Sequence, residues 1–247
     1  MKTSRIHSIE TLGGVDGPGM RCVIFFQGCP LRCLYCQNPD TQSFEGGQAM
    51  SIAELMRTIE RTRPYFGSKG GVTFSGGEPL AQPDVITELL KACHAKEIHT
   101  AIDTSGACAT RPALEAARLA DLLLLDIKHP DPDKCRALTG RGLDGPLLLL
   151  QAAEQQQQAV WIRHVVVPGW SNTLEVMEAL AHLLAPFTCI QRVELLPYHT
   201  MAAEKYRALG RELPLPEIPA ITPAQIQHLE QHLKSLWFSR PCLSKRQ

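Results

Sequence analysis

The sequence predicts an α/β protein of six strand–helix units, and three observations lead there. Short apolar segments bounded by Gly, Pro or polar turns alternate with longer amphipathic ones, the pattern of parallel βαβ units. Leu122–Leu125 is an unbroken apolar run, as expected of a strand covered on both faces. Polar and glycine signals collect at the C-terminal ends of the strands, the edge where parallel α/β architectures bind ligands. Six units are fewer than the eight of a closed barrel.

The elements follow in order. Gly13–Gly19 is a Gly/Pro loop before the first strand, Cys22–Phe26, and it fits neither a Walker A nor a dinucleotide fingerprint. Gly28–Thr41 carries three close cysteines. Ser51 with Glu54 forms a capping box that opens a helix to about Arg63. Gly71–Phe74 is a short strand ending in the turn Ser75-Gly76-Gly77-Glu78-Pro79, and a helix runs from Pro83 to Lys96. His99–Gly106 is the third strand, and Thr110 is placed to cap the next helix. Asp121–Lys128 is the fourth strand. A helical stretch near Pro146–Gln158 shows its glutamines to water. Val160–Val167 is the fifth strand, Asn172 with Glu175 opens another helix, and Arg192–Tyr198 is the sixth strand. After a Pro-rich loop at Leu213–Pro219, Thr222 caps a last helix with Pro223 at its first position.

Length and charge set outer bounds. At 247 residues the chain suits one domain with a substantial core. Lys+Arg 25 balances Asp+Glu 25, so no overall field favours nucleic acid or an anionic membrane. No apolar run nears the ~18 residues that span a bilayer. Nine cysteines at irregular spacings, behind an N-terminus Met1–Arg5 without a signal-type apolar region, predict free thiols in the reducing cytoplasm. Cys22 reads as strand core, and Cys93, Cys108, Cys135, Cys189 and Cys242 as packing or surface thiols.

Cys29, Cys33 and Cys36 differ from these. They form C-x3-C-x2-C in a loop directly after a strand. Structural zinc and electron-transfer iron–sulfur sites both need four ligands. None lies at usable spacing: Cys22, seven residues upstream, is roughly 23 Å away at ~3.3 Å per strand residue. Three thiolates would hold a [4Fe–4S] cluster with one iron open, which implies chemistry rather than scaffolding.

The cysteine run, with Tyr35 just before its third cysteine, resembles the signature of the radical S-adenosylmethionine (SAM) enzymes. Val15–Arg21, Phe25–Cys29 and Tyr35–Asn38 narrow the resemblance to the activating enzymes of glycyl-radical lyases, of the pyruvate formate-lyase type. Further matches run along nearly the whole chain. The resemblance implies an open six-unit (β/α) barrel, in agreement with the count. Residues 1–247 would form a single radical SAM domain, with the cluster loop at 28–41 and a C-terminal helix at about 222–238. The implied activity is anaerobic: an electron from the cluster cleaves SAM to methionine and a 5′-deoxyadenosyl radical, which takes hydrogen from a backbone glycine of the lyase. The implied partners are that glycyl radical enzyme, pyruvate formate-lyase, and reduced flavodoxin or a similar electron donor. The protein itself is expected to be a monomer.

The same resemblance assigns residues. Cys29, Cys33 and Cys36 are the catalytic cluster ligands. Tyr35, Cys36, Gln37, Gly77, Asp126, Ile127, Lys128 and His199 are SAM contacts. Asp103, Thr104 and Asp126 hold a monovalent cation near the SAM carboxylate, since two carboxylates facing an anionic group need a positive charge between them. Independently of the resemblance, the loop Gly13–Gly19, joined to the cysteine stretch by one strand, is expected beside it, so that Asp16 and Gln37 hold the backbone of the partner's glycine loop, whose amide N–H groups need acceptors. Strand alternation adds that Leu122, Leu124, Asp126 and Lys128 share one face, so two charges finish a row of leucines and want partners, which a zwitterionic ligand supplies. Blander readings stand beside these: Asp126 and Lys128 as an internal ion pair, His199 as a rim histidine, mid-strand Arg163 as structural.

Two departures matter. Gln37 stands where the best-known activating enzymes carry histidine, and glutamine cannot titrate near neutral pH. Only 38 residues separate Cys36 from Ser75, too few for the Cys-rich ferredoxin insertion of the diol-dehydratase and choline-lyase activators. Two rivals remain. A radical SAM enzyme acting on a small molecule, such as a deazapurine precursor, would share the cluster and the Gly-Gly-Glu turn but not Val15–Arg21 or Trp161–Trp170. An iron–sulfur electron carrier would need a fourth ligand and no Asp126, Lys128 or His199.

Overall fold

A computed structural model of the chain describes residues 3–216 and 218–238. Strand β1 (Thr3–Gly13) runs antiparallel to β2 (Arg21–Phe26), and the short β3 (Gln48–Ser51) flanks it before α1 (Ile52–Thr62). Then β4 (Gly71–Gly76), α2 (Pro83–His94), β5 (Thr100–Thr104), α3 (Arg111–Ala117) and β6 (Leu122–Asp126) alternate. Two helices follow, α4 (Pro132–Thr139) and α5 (Asp144–Gln156). After them come β7 (Ala159–Val166), α6 (Leu174–Leu184), β8 (Ile190–Pro197), α7 (Ala203–Ala208) and α8 (Pro223–Phe238).

The sheet order is β3-β1-β2-β4-β5-β6-β7-β8, and it does not close. From β2 onward every neighbouring pair is parallel, so six parallel strands form the open barrel that the six units predict. The antiparallel edge of β1 and β3 was not expected. Its period is broken: register shifts interrupt β1 between Ile6 and Ser8 and between Glu10 and Gly13. A strand with such bulges loses the alternation that announces it.

The two sheet faces bury different things. Leu123, Leu125, Ile102, Phe74 and Ile24 pack outward into the main core with α1, α2, α5 and α6. Leu122 and Leu124 point inward, where they pack with Ala101, Ala159 and Trp161. The strand ends on that face line a cavity together with the cysteine loop. Along β7 burial alternates strictly, placing Trp161, Arg163 and Val165 inside. The register then sets charges side by side: Arg163 stands opposite Asp126 on β6 and Glu194 on β8.

Local signals held in most places. Ser51 and Glu54 form the full capping box, and Thr222 with Gln225 makes the equivalent pair before α8. Thr110 is the N-cap of α3 but makes no side-chain cap bond. At α6 the cap is Thr173 rather than Asn172, whose Oδ1 accepts from Gly169 N–H at 2.8 Å. Helix α4 was not expected, although Asp131 as N-cap, Pro132 behind it and left-handed Gly140 at its end spell out its limits. Cys22 and Cys93 are fully buried and Cys135 and Cys189 nearly so, as packing thiols should be; Cys242 lies outside the described residues. Among the described residues no helix is long and apolar enough to cross a membrane.

Candidate functional site

The cysteine loop leaves β2 through Gly28, whose φ of +99° suits glycine and whose Cα faces the Phe44 ring too closely for a Cβ. Without regular structure, its backbone groups need individual partners. Gly28 N–H donates to Thr41 O at 2.8 Å, which ties the loop's two ends. Gln27, nearly buried, donates its amide to Asp40 O and Ser43 O. Arg32 N–H and Leu34 N–H donate to Thr139 O and Leu138 O, both at 2.8 Å, so the end of α4 holds the loop from outside. Cys29, Cys33 and Cys36 consequently line one cavity of about 290 Å³.

Their chemistry suits a cluster. Burial pushes the Cys29 and Cys33 thiols up to about 12, so iron binding must displace protons. Among the described residues no three His, Cys, Asp or Glu groups converge to hold a single ion. Among the described residues no other cysteine lines the cavity. Cys22 is fully buried in the core behind the strand. Three thiols spread along one wall, without a fourth, fit a cluster with an open iron better than a mononuclear metal.

The facing wall is the end of β6. Lys128 Nζ bonds Asp126 Oδ2 at 2.5 Å, so these two charges satisfy each other. Burial works against the Lys128 ammonium, yet Asp126, Tyr35 and Cys33 raise its pKa well above the ordinary lysine value. The ammonium also lies 5.9 Å from the Tyr35 ring centre. Tyr35, within the cysteine loop, and His199 line the same cavity, each with a buried polar atom, Tyr35 Oη and His199 Nδ1, that has no protein partner. Gln37 donates its amide to His199 O at 2.8 Å, which links the cysteine loop to the end of β8.

Ile127, expected among the SAM contacts, does not line the cavity. Its side chain is fully buried in the main core. Its main chain is taken, N–H by Arg163 O and C=O by His164 Nδ1 at 2.6 Å. Burial holds that histidine down at about 4, so it is a neutral strut for the strand end.

Gly77 lies in the cavity wall, but its missing side chain has a nearer cause than a ligand. A Cβ there would sit 2.3 Å from Gly28 O and 3.0 Å from Thr41 O. Gly77 N–H and Glu78 N–H donate to Phe26 O and Gly28 O, so the turn is bolted to the start of the cysteine loop. Glu78 is fully buried behind it, accepting from Thr104 Oγ1 at 2.7 Å, Ser105 Oγ at 2.5 Å, Ser105 N–H and Leu80 N–H. Burial raises its pKa against those bonds. Its role as an anchor was not legible, because its partners sit on another strand.

The floor is charged. Arg163 reaches Asp103 at 3.3 Å, Asp16 at 3.7 Å and Glu194 at 3.8 Å, and Ser75 Oγ donates to Asp103 Oδ2 at 2.7 Å. Asp103 above all raises the Arg163 pKa. Two expectations change here. The sequence placed a cation among Asp103, Thr104 and Asp126, but the Thr104 hydroxyl turns away to Glu78, and the positive charge beside Asp103 is Arg163. The loop at Asp16 does not lie beside the cysteine stretch either. It enters β2 from the opposite end and folds inward, fixed by Thr73 Oγ1 on Asp16 O at 2.6 Å and Arg21 on Pro18 O. Asp16 thus reaches the same cavity from below. Burial, and then Asp103, raise its pKa.

With this geometry in hand, the relatives are informative. The Radical SAM superfamily profile matches residues 23–183. The pyruvate formate-lyase-activating enzyme of Clostridium pasteurianum is 46% identical over 237 residues, 96% of this chain and 99% of that one. The enzyme of the same name from Staphylococcus epidermidis is 42% identical over 85% of this chain and 87% of its own. Among solved structures, Streptococcus suis SuiB with its precursor peptide SuiA superposes with a TM-score of 0.69 at 18% identity, over 88% of this chain and 46% of SuiB. That likeness speaks for the fold alone.

Proposed function

Because the chain belongs to the radical SAM superfamily, and within it to the pyruvate formate-lyase-activating enzymes, we propose that it activates pyruvate formate-lyase by installing a glycyl radical. The observation that carries this reading is the placement of Cys29, Cys33 and Cys36 around one cavity with no fourth cysteine among the described residues. A [4Fe–4S] cluster held by those thiolates would supply the electron that cleaves SAM to methionine and a 5′-deoxyadenosyl radical, which takes hydrogen from a glycine Cα of the lyase.

The chain's own groups bind and orient. Cys29 and Cys33 release their protons on loading, against the burial that favours the thiol. Asp126 and Lys128 exchange their mutual bond for the amino and carboxylate ends of SAM, so the swap leaves no buried charge unpaired. Tyr35 and His199 supply their unpartnered polar atoms, and Cys36, Gln37 and Gly77 flank the same space. Ile127 contributes by fixing the strand end rather than by touching ligand. Asp16 and Gln37 hold the glycine loop's backbone over the reaction centre. A monovalent cation at Asp103 and Asp126 would add to the charge that Arg163 brings.

The reading extends to a monomer in the anaerobic cytoplasm, reduced by flavodoxin or a similar carrier. The test is electron paramagnetic resonance. Reconstituted protein with reductant, SAM and pyruvate formate-lyase should yield the doublet of a glycyl radical. Cleavage of SAM without any doublet would move the protein to the small-molecule enzymes of the superfamily.

A further inference from the structure

The proposed reaction consumes one electron per turnover, and that electron has to reach the cysteine loop from outside. The cavity side is reserved for SAM and the glycine loop, so delivery must come through the loop's back. The back is covered closely at one corner, where α4 ends. Arg32 N–H and Leu34 N–H, on either side of Cys33, donate to Thr139 O and Leu138 O at 2.8 Å. Cys33, half-buried, lies between those two anchored residues.

That corner is basic. Arg32 is exposed, and its guanidinium folds back on Cys29 O at 2.8 Å and Leu31 O at 2.7 Å, which fixes a positive charge against the loop. Arg141 follows directly, exposed, with its main chain held by the Thr139 hydroxyl on both N–H and C=O. Arg136 is exposed on the last turn of α4 and swings toward Gly142, near Asp144, the one acid beside it. Asp131 and Asp133 lie at the other end of the helix, where Asp131 caps it. Three exposed arginines thus stand around the contact between the cysteine loop and the end of α4, in a protein whose formal net charge is +0.

We infer that the corner formed by Arg32, Arg136 and Arg141 is the docking surface for an acidic one-electron carrier protein, which delivers its electron through the α4 corner to the centre held by Cys33. The carrier is oxidised by one electron and the centre reduced by one; no bond forms or breaks. This inference rests on the activating-enzyme reading, and its test keeps the two apart. A localised basic patch steers an acidic partner and speeds encounter by factors of ~10 to 1,000, an effect that salt removes.

The experiment is stopped-flow reduction of the anaerobically reconstituted enzyme by photoreduced flavodoxin, followed by bleaching of the cluster absorbance. Arg136→Glu/Arg141→Glu should slow reduction about tenfold or more at low ionic strength, and the difference should shrink at about 0.5 M salt. Arg57→Glu/Lys91→Glu, an equal charge change on α1 and α2, should reduce at the wild-type rate. With a neutral small reductant, photogenerated deazaflavin radical, all three proteins should reduce alike and form glycyl radical alike. Wild-type reduction rates in the α4 double variant, or equal slowing in both, would overturn the docking surface. Absence of glycyl radical in wild type with the small reductant would instead overturn the activating-enzyme reading.

Discussion

Replacing Arg163 by methionine offers a quantitative test of how the cavity floor is held. Its guanidinium, with the side chain only 11% exposed, faces carboxylates at 3.3, 3.7 and 3.8 Å. At an effective dielectric of about 20, each such contact is worth roughly 4–5 kcal/mol of gross attraction. The arginine's own desolvation and repulsion among the acids cancel most of that sum. What remains on removing one partner of a buried network is about 3–5 kcal/mol. The loss should depend on pH, and the sign is fixed. Asp16 already sits above its ordinary pKa through burial and Asp103, while Arg163 pulls it down. Without Arg163 it rises further. An acid whose folded pKa is raised loses stability as pH climbs through that value. Urea unfolding of Arg163→Met should therefore show the full deficit at about pH 7.5 and a smaller one at about pH 5.5. An unchanged midpoint, or a deficit that does not vary with pH, would refute the claim that Arg163 neutralises Asp16 and Asp103.

Three further outcomes follow from the site. Cys33→Ala should lose the content of about four irons on reconstitution while keeping its far-ultraviolet circular dichroism, whereas Cys22→Ala should keep the iron. Asp126→Asn and His199→Ala should each weaken SAM by roughly ten- to a hundredfold in equilibrium titration without loss of iron; unchanged affinity in both returns those residues to a structural role. Gly77→Ala should lower the melting temperature and the iron content together, because its Cβ would strike Gly28 O at 2.3 Å, and an alanine variant that melts and loads like wild type would show that the two loops are not bolted together.

The parts of this protein legible in its sequence are those with short-range causes. Six parallel strands announce themselves by apolar runs and by turns at their ends. The capping box at Ser51 and the spacing of Cys29, Cys33 and Cys36 are local patterns too. What stayed hidden depends on register. Arg163 is a mid-strand cation in sequence, and only the alignment of β6, β7 and β8 sets it beside Asp126 and Glu194. Glu78 reads as the end of a turn until Thr104 and Ser105 arrive from the next strand. Asp16 reads as the single acid of a Gly/Pro loop, because nothing local shows that Arg21 and Thr73 draw that loop inward. Ile127, placed between two charged residues, shares their neighbourhood but faces the opposite side of the strand end, into the core.

In the proposed activation a hydrogen atom passes from a glycine Cα of the lyase to the 5′ carbon derived from SAM, within the cavity shared by the cysteine loop and Asp16. Mass spectrometry of the 5′-deoxyadenosine formed with pyruvate formate-lyase carrying Cα-deuterated glycine tests it directly. Deuterium in the nucleoside, at much reduced yield with Asp16→Ala although SAM still binds, is the predicted result. Nucleoside formed without deuterium would contradict it.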